Sequence, residues 1–166
     1  LFLLDEPVYT GALDDFADRE LDFRGEVSAH LGYAFPIPSS GGPLDSLDQG
    51  GFAAEIDFGY AFHPNWSFEL IGGYYSYADQ RSILGAGLHL RYRWLRPGGR
   101  TNLTLALGGG YYEPDFTGGG WGYGVRLGAE YQLSRRVMVL AEVAGYRVDA
   151  SNLSFGAGML GINYGF

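Results

Sequence analysis

From residue 23 onward the side chains alternate in eight successive runs, one face apolar and the other small or polar. A period of two places alternate residues on opposite faces of an extended strand, whereas a helical stripe repeats near 3.6. In Phe23–Phe35 one face reads Phe23, Val27, Leu31, Tyr33, Phe35 and the other Arg24, Glu26, Ser28, His30, Gly32. The same split recurs in Phe52–Phe62, in Trp66–Tyr75, and most clearly in Leu84–Trp94, where Leu84, Ala86, Leu88, Leu90, Tyr92 and Trp94 oppose Gly85, Gly87, His89, Arg91 and Arg93. It continues through Leu103–Tyr111, Tyr123–Leu133, Val137–Ala144 and Met159–Phe166.

These runs are longer than the 5–6 residues usual in soluble sheets. They match the 9–11 tilted residues of a transmembrane strand, and the even count suits a closed barrel. The less apolar face is crowded with Gly, Ala and a few charges, as the narrow interior of eight strands requires. The pattern predicts an all-β protein, an eight-stranded antiparallel up-and-down transmembrane β-barrel over 23–166 with its apolar face toward lipid.

Composition agrees. Of 166 residues 28 are glycine, too many for a helical bundle, because an interior helix Gly costs about 1 kcal/mol against Ala. There is no cysteine, which excludes disulfides, thiolate metal sites and cysteine nucleophiles. All 11 basic residues are arginine, and 19 acids bring the net charge to -8, unfavourable for a nucleic-acid partner. Seven of those acids precede Phe23 against Arg19 alone, which leaves 12 acids and 10 arginines for the rest. Residues 1–22 thus read as a separate acidic arm. Val8, Ala12, Leu13, Phe16, Ala17 and Leu21 recur in it near helical spacing, a weak amphipathic helix that could lie at the periplasmic mouth, plug the barrel or dock on an envelope protein, the alternative being a solvated leader before the first strand. Leu1–Leu4 is too short for the apolar core of a secretory leader.

Short turns at His63–Asn65, Leu95–Arg100 and Ser134–Arg136 alternate with longer links at Pro36–Gly51, Ala78–Ser82, Glu113–Gly120 and Asp149–Asn152. In a barrel that starts upward from the periplasm, the turns and both termini are periplasmic. Aromatic residues then gather at two rims. Tyr60, Phe62, Trp66, Phe68, Tyr92, Trp94, Tyr131, Tyr164 and Phe166 fall at the periplasmic one. Tyr33, Phe35, Phe52, Tyr74, Tyr111, Trp121 and Tyr123 fall at the outer one. Two aromatic girdles around an aliphatic belt are what a bilayer selects.

The inward charges are Glu26, Glu55, Asp57, Glu69, Glu130 and Glu142 against Arg91, Arg93 and Arg126, with His30 and His89 beside them. Neighbouring strands place Glu69 near Arg91 and Arg93, and a guanidinium fork suits such carboxylates. Because buried charges must pair, this set is expected to plug the lumen rather than conduct or catalyse. Gly108–Gly110 and Gly118–Gly120 lack the Lys-Ser/Thr of a phosphate loop, and no ligand triad for a metal is visible, so no cofactor is expected.

With its strand–turn–strand Phe58-Gly-Tyr-Ala-Phe-His-Pro-Asn-Trp-Ser-Phe-Glu-Leu70, the chain resembles the OmpA-like and opacity-type outer-membrane β-barrels over Leu21–Phe166. The closing Gly161-Ile-Asn-Tyr164-Gly-Phe166 resembles the signal read by the barrel-assembly machinery, although Met159 stands where the family usually has a polar residue. The resemblance implies an integral outer-membrane protein among phospholipid and lipopolysaccharide, without the peptidoglycan-binding domain of larger members. Three roles occur among such barrels: a structural protein or subunit of an envelope complex, a surface adhesin, and a lipid A-modifying enzyme. Barrels resembling the deacylase carry His-x-Ser in a late strand. Here His30, His63 and His89 are the only histidines and none has Ser two residues on. Recognition barrels project long loops, whereas three of the four links here are short. The first role is therefore expected, without enzymatic activity.

Overall fold

The computed structural model describes residues 25–38, 50–94, 100–134 and 136–166. The acidic arm 1–22 lies outside the described residues, as do Phe23 and Arg24.

Eight antiparallel strands run β1 Gly25–Pro36, β2 Gly51–His63, β3 Trp66–Ser76, β4 Ser82–Trp94, β5 Thr101–Pro114, β6 Gly120–Gln132, β7 Val137–Val148 and β8 Leu153–Gly165. Each pairs with its sequence neighbour, and β1 pairs with β8, so the sheet closes into a barrel. Closure satisfies every strand edge, which a bilayer demands because lipid offers no hydrogen bonds to backbone amides. At the seam Gly25 and Phe166 exchange both backbone bonds, at 3.1 and 2.8 Å.

The described short turns lie at the end of the barrel where β1 begins and β8 finishes, the turn end, and the described longer links at the opposite, loop end; most of the expected Leu95–Arg100 turn and Pro36–Gly51 link lies outside the described residues. The β2–β3 turn is tied to the next strand, since Asn65 donates its side-chain amide to the Arg93 carbonyl at 2.8 Å and accepts from the Arg93 amide at 2.8 Å. A single 3-10 turn, Ala78–Gln80, interrupts the β3–β4 link. Asn152, in the left-handed region at φ 48°, closes the β7–β8 link, a conformation asparagine tolerates better than most residues.

Several strands continue past their alternating runs toward the loop end. β5 extends to Pro114, while β7 ends at Val148 and β8 begins at Leu153, on either side of the expected Asp149–Asn152 link and beyond the runs that close at Ala144 and open at Met159. Beyond the apolar belt the outer face turns polar, as at Arg147 and Ser154, so the alternation fades while the backbone ladder continues.

The outer wall is apolar. Leu31, Leu70, Leu88, Leu107, Leu127, Val143 and Leu160 are all more than half exposed, the inverse of a soluble protein. Aromatic side chains gather toward both ends, with Trp66 4.7 Å from Tyr92 and Tyr92 4.8 Å from Trp94 at the turn end, and Tyr111 5.9 Å from Trp121 at the loop end. Phe35 and Tyr92 are only half-buried members of these rings.

The inner face explains the glycines. Four large inward side chains sit opposite one: Tyr112 faces Gly85, His89 faces Gly108, Tyr146 faces Gly124 and His30 faces Gly161. A Cβ at those four glycines would lie 2.7, 2.2, 2.4 and 2.6 Å from the facing side chain. Eight strands leave so little width that a ring on one strand needs a bare backbone on the next.

Candidate functional site: the barrel interior

Inward parity on six strands delivers the charges to one place. Arg91 on β4 is the hub. Its Nε lies 2.5 Å from Glu69 on β3, and its NH1 lies 2.7 Å from Glu142 on β7 and 3.2 Å from Glu130 on β6. Arg126 on β6 gathers the carboxylates nearer the loop end. It reaches Glu142 at 2.6 Å, Asp57 at 3.0 Å and Glu55 at 3.1 Å. Arg93 forms a third node near the turn end. Its NH2 donates to both oxygens of Glu26 at 2.7 Å, and its Nε donates to Glu130 at 3.1 Å. The Arg93 guanidinium thus spans the lumen from β4 to β1 and β6, and it does not share Glu69 with Arg91 as neighbouring strands had suggested. The reason is geometric: Arg93 stands one inward step nearer the turn end, level with Glu26 rather than with Glu69.

His30 puts its Nε2 3.0 Å from Asp57 and its Nδ1 3.9 Å from Glu142. His89 is equally buried, on β4 directly opposite Glu69. Asn163 donates to Glu26 at 2.8 Å. The ten charged or imidazole groups expected in the lumen, with His30, are all less than a tenth exposed. Charges so placed hold together only as a mutually bonded set, because desolvating any one alone is costly.

Toward the loop end the lumen changes character. Tyr75, Tyr112, Tyr146 and Phe155 stack into an aromatic plug, with ring centres 4.9 Å apart for Tyr75–Phe155 and 5.0 Å for Tyr146–Phe155. Tyr77, Ile83, Val148 and Leu153 pack around it, and Phe116 leans on it. The two layers are joined at Glu55, whose Oε1 accepts from Tyr75 at 2.5 Å and from Tyr146 at 2.9 Å. Tyr75 shares the inward parity of Glu69, but the alternating runs alone do not reveal the plug. The signal was present: Tyr112 and Tyr146 continue the inward parity of Ala106 and Glu142 beyond the lipid belt, and Phe155 continues that of Met159.

Among the described residues no cluster of three or more His, Asp or Glu could hold a metal ion. Gly161 backs His30 on the inner side of β8, while Tyr164 and Phe166 point outward at the turn-end rim.

Residues 12–166 match the model of the outer membrane protein beta-barrel domain. The chain belongs to this family. It is an integral protein of the Gram-negative outer membrane, an eight-stranded barrel of the OmpA-like kind. Among solved structures it is similar to Neisserial surface protein A, at 17% identity and a TM-score of 0.74 over 86% of this chain and 97% of that one. It is similar to Ail, the attachment invasion locus protein of Yersinia pestis, at 18% identity and a TM-score of 0.50 over 86% of this chain and 99% of that one. It is also similar to the outer membrane enzyme PagL, at 13% identity and a TM-score of 0.56 over 85% of this chain and 99% of that one. At these identities the likeness concerns the fold, which here hosts both an attachment protein and an enzyme. No curated protein sequence matches the chain.

Proposed function

We propose that this protein is a closed, non-conducting outer-membrane barrel that acts as a structural element or as a subunit of an envelope complex. One observation carries the reading: the lumen is filled along its length, by three arginines bonded to six carboxylates and then by the aromatic plug. A filled lumen offers neither a water column nor a place for substrate.

The loop end favours this role over surface recognition, since only residues 77–81, 115–119 and 149–152 join three of the four strand pairs there. An acyl-hydrolysing role is not supported, because the lumen histidines face carboxylates and the chain has no His-x-Ser pair. The short turns and both termini face the periplasm, the arm 1–22 docks an envelope partner, and Gly161, Tyr164 and Phe166 engage the assembly machinery.

Planar-bilayer recording of the refolded protein tests the closed lumen. No stable opening is expected at physiological salt. A reproducible channel of nanosiemens conductance overturns it.

A further inference from the structure

The lipid-facing wall is not uniformly covered. On its outer side, across β5 to β8 and β1, lies a concavity of about 920 Å³ near the turn end. Its floor is set by alanines. Ala129 on β6 and Ala141 on β7 are direct cross-strand partners, so two short side chains lie side by side. Larger ones wall them in: Leu103 and Leu160 flank them along the row, Leu127 and Val143 stand on the loop-end side, and Tyr131 and Val139 on the turn-end side. Elsewhere the belt presents leucines such as Leu70 and Leu88 at the same parity, apart from the outward pair Gly72–Ala86 on β3 and β4, which lies nearer the loop end. The depression opens into hydrocarbon, so it is filled by something apolar.

Charge lies just beyond its turn-end margin. Arg136 reaches onto the outer wall, its NH1 3.4 Å from the hydroxyl of Tyr164, an outward residue of β8 paired with Val137. Arg100 is exposed beside Thr101, which lines the same concavity opposite Tyr131. Two arginines at the turn-end margin, one of them beside the Tyr164 hydroxyl, and an apolar slot running into the belt have the layout of one lipid molecule.

We propose that this groove is a binding site for an anionic glycerophospholipid, an acyl chain lying over Ala129 and Ala141 and the phosphate between Arg100 and Arg136. The charge complementarity selects the headgroup, since each arginine near a membrane surface favours an anionic lipid by about fivefold. The site is independent of the lumen, so its failure would leave the closed-barrel reading untouched, and a conducting barrel would leave the site untouched.

Native mass spectrometry of the folded protein, released from detergent micelles containing phosphatidylglycerol, phosphatidylcholine or purified lipopolysaccharide, tests it. One phosphatidylglycerol retained per chain is expected, in preference to phosphatidylcholine. Arg136→Ser should lower that preference about fivefold, and Arg100→Ser together with Arg136→Ser should abolish it. Ala141→Phe, which fills the slot from the lipid side, should reduce retention of either phospholipid by about tenfold or more. Heat-modifiable gel migration verifies that each variant is folded; should Ala141→Phe fail to fold, Ala129→Leu replaces it. Equal retention of the two phospholipids, or undiminished phosphatidylglycerol on a folded groove-filled variant, overturns the proposal. So does preferential retention of lipopolysaccharide, or a dimer peak that the groove-filling substitution removes, which would make a second copy the occupant.

Discussion

Replacing Arg91 with Met tests the lumen network at its hub. The substitution conserves much of the volume but withdraws a cation from three carboxylates at once. Two of them keep another partner: Glu142 retains Arg126 at 2.6 Å and Glu130 retains Arg93 at 3.1 Å. Glu69 does not fare so well, because its remaining guanidinium, on Arg126, is 3.9 Å away. Most of the penalty therefore falls on Glu69, and breaking a buried pair on one side typically costs about 3–5 kcal/mol. Adding Glu69→Gln removes the orphaned charge while keeping its shape. The double variant should be more stable than Arg91→Met alone, with a coupling of about 1–3 kcal/mol. Urea unfolding in lipid vesicles, followed by tryptophan fluorescence and by heat-modifiable migration, measures all four corners of the cycle. Pairing Arg93→Met with Glu69→Gln serves as the internal control, and its coupling should be smaller, since Arg93 is bonded to Glu26 and Glu130 instead. If the Arg91 cycle were additive, or the Arg93 cycle coupled as strongly, the three-node arrangement would be wrong, and Arg91 would become a candidate for a role other than holding the lumen closed.

Three further outcomes follow from the same geometry. Leu127→Arg, in the middle of the lipid belt, should cost about 2–4 kcal/mol in the same unfolding assay, and an unchanged midpoint would contradict a membrane-facing wall. Gly108→Ala should cost about 1–3 kcal/mol, because its methyl would lie 2.2 Å from both the His89 ring and the Leu88 carbonyl, whereas Gly158→Ala meets nothing within 4 Å and should leave the midpoint nearly unchanged; equal losses would refute the ring-over-glycine packing. Because the chain has no cysteine, Ala150→Cys, at an exposed position of the loop end, should react with a membrane-impermeant maleimide on intact cells while Ser134→Cys, exposed at the turn end, should not, and the reverse result would invert the orientation.

Alternation along the chain is a local property, and it determined most of the architecture without help. Leu84 to Trp94 declares its two faces within eleven consecutive residues, since neighbouring side chains of an extended strand must point to opposite sides. Eight such runs with an apolar majority on one side leave a closed barrel in lipid as the economical solution, and the charges of Arg91, Arg93, Arg126 and their carboxylates then fall inside by parity alone. What parity could not decide is which of them meet. Arg93 and Glu26 are 67 positions apart and come together only because closure and strand stagger bring β1 and β4 to one level across the lumen. The aromatic plug was hidden for the related reason that Tyr112, Tyr146 and Phe155 lie beyond the lipid belt, where the outer face no longer advertises the alternation. The groove over Ala129 and Ala141 needed the register as well: two alanines on successive strands are unremarkable until pairing sets them side by side. Sequence fixes the face of each side chain because that depends on adjacent residues. Depth and partners depend on the shear of the closed sheet, a property of all eight strands together.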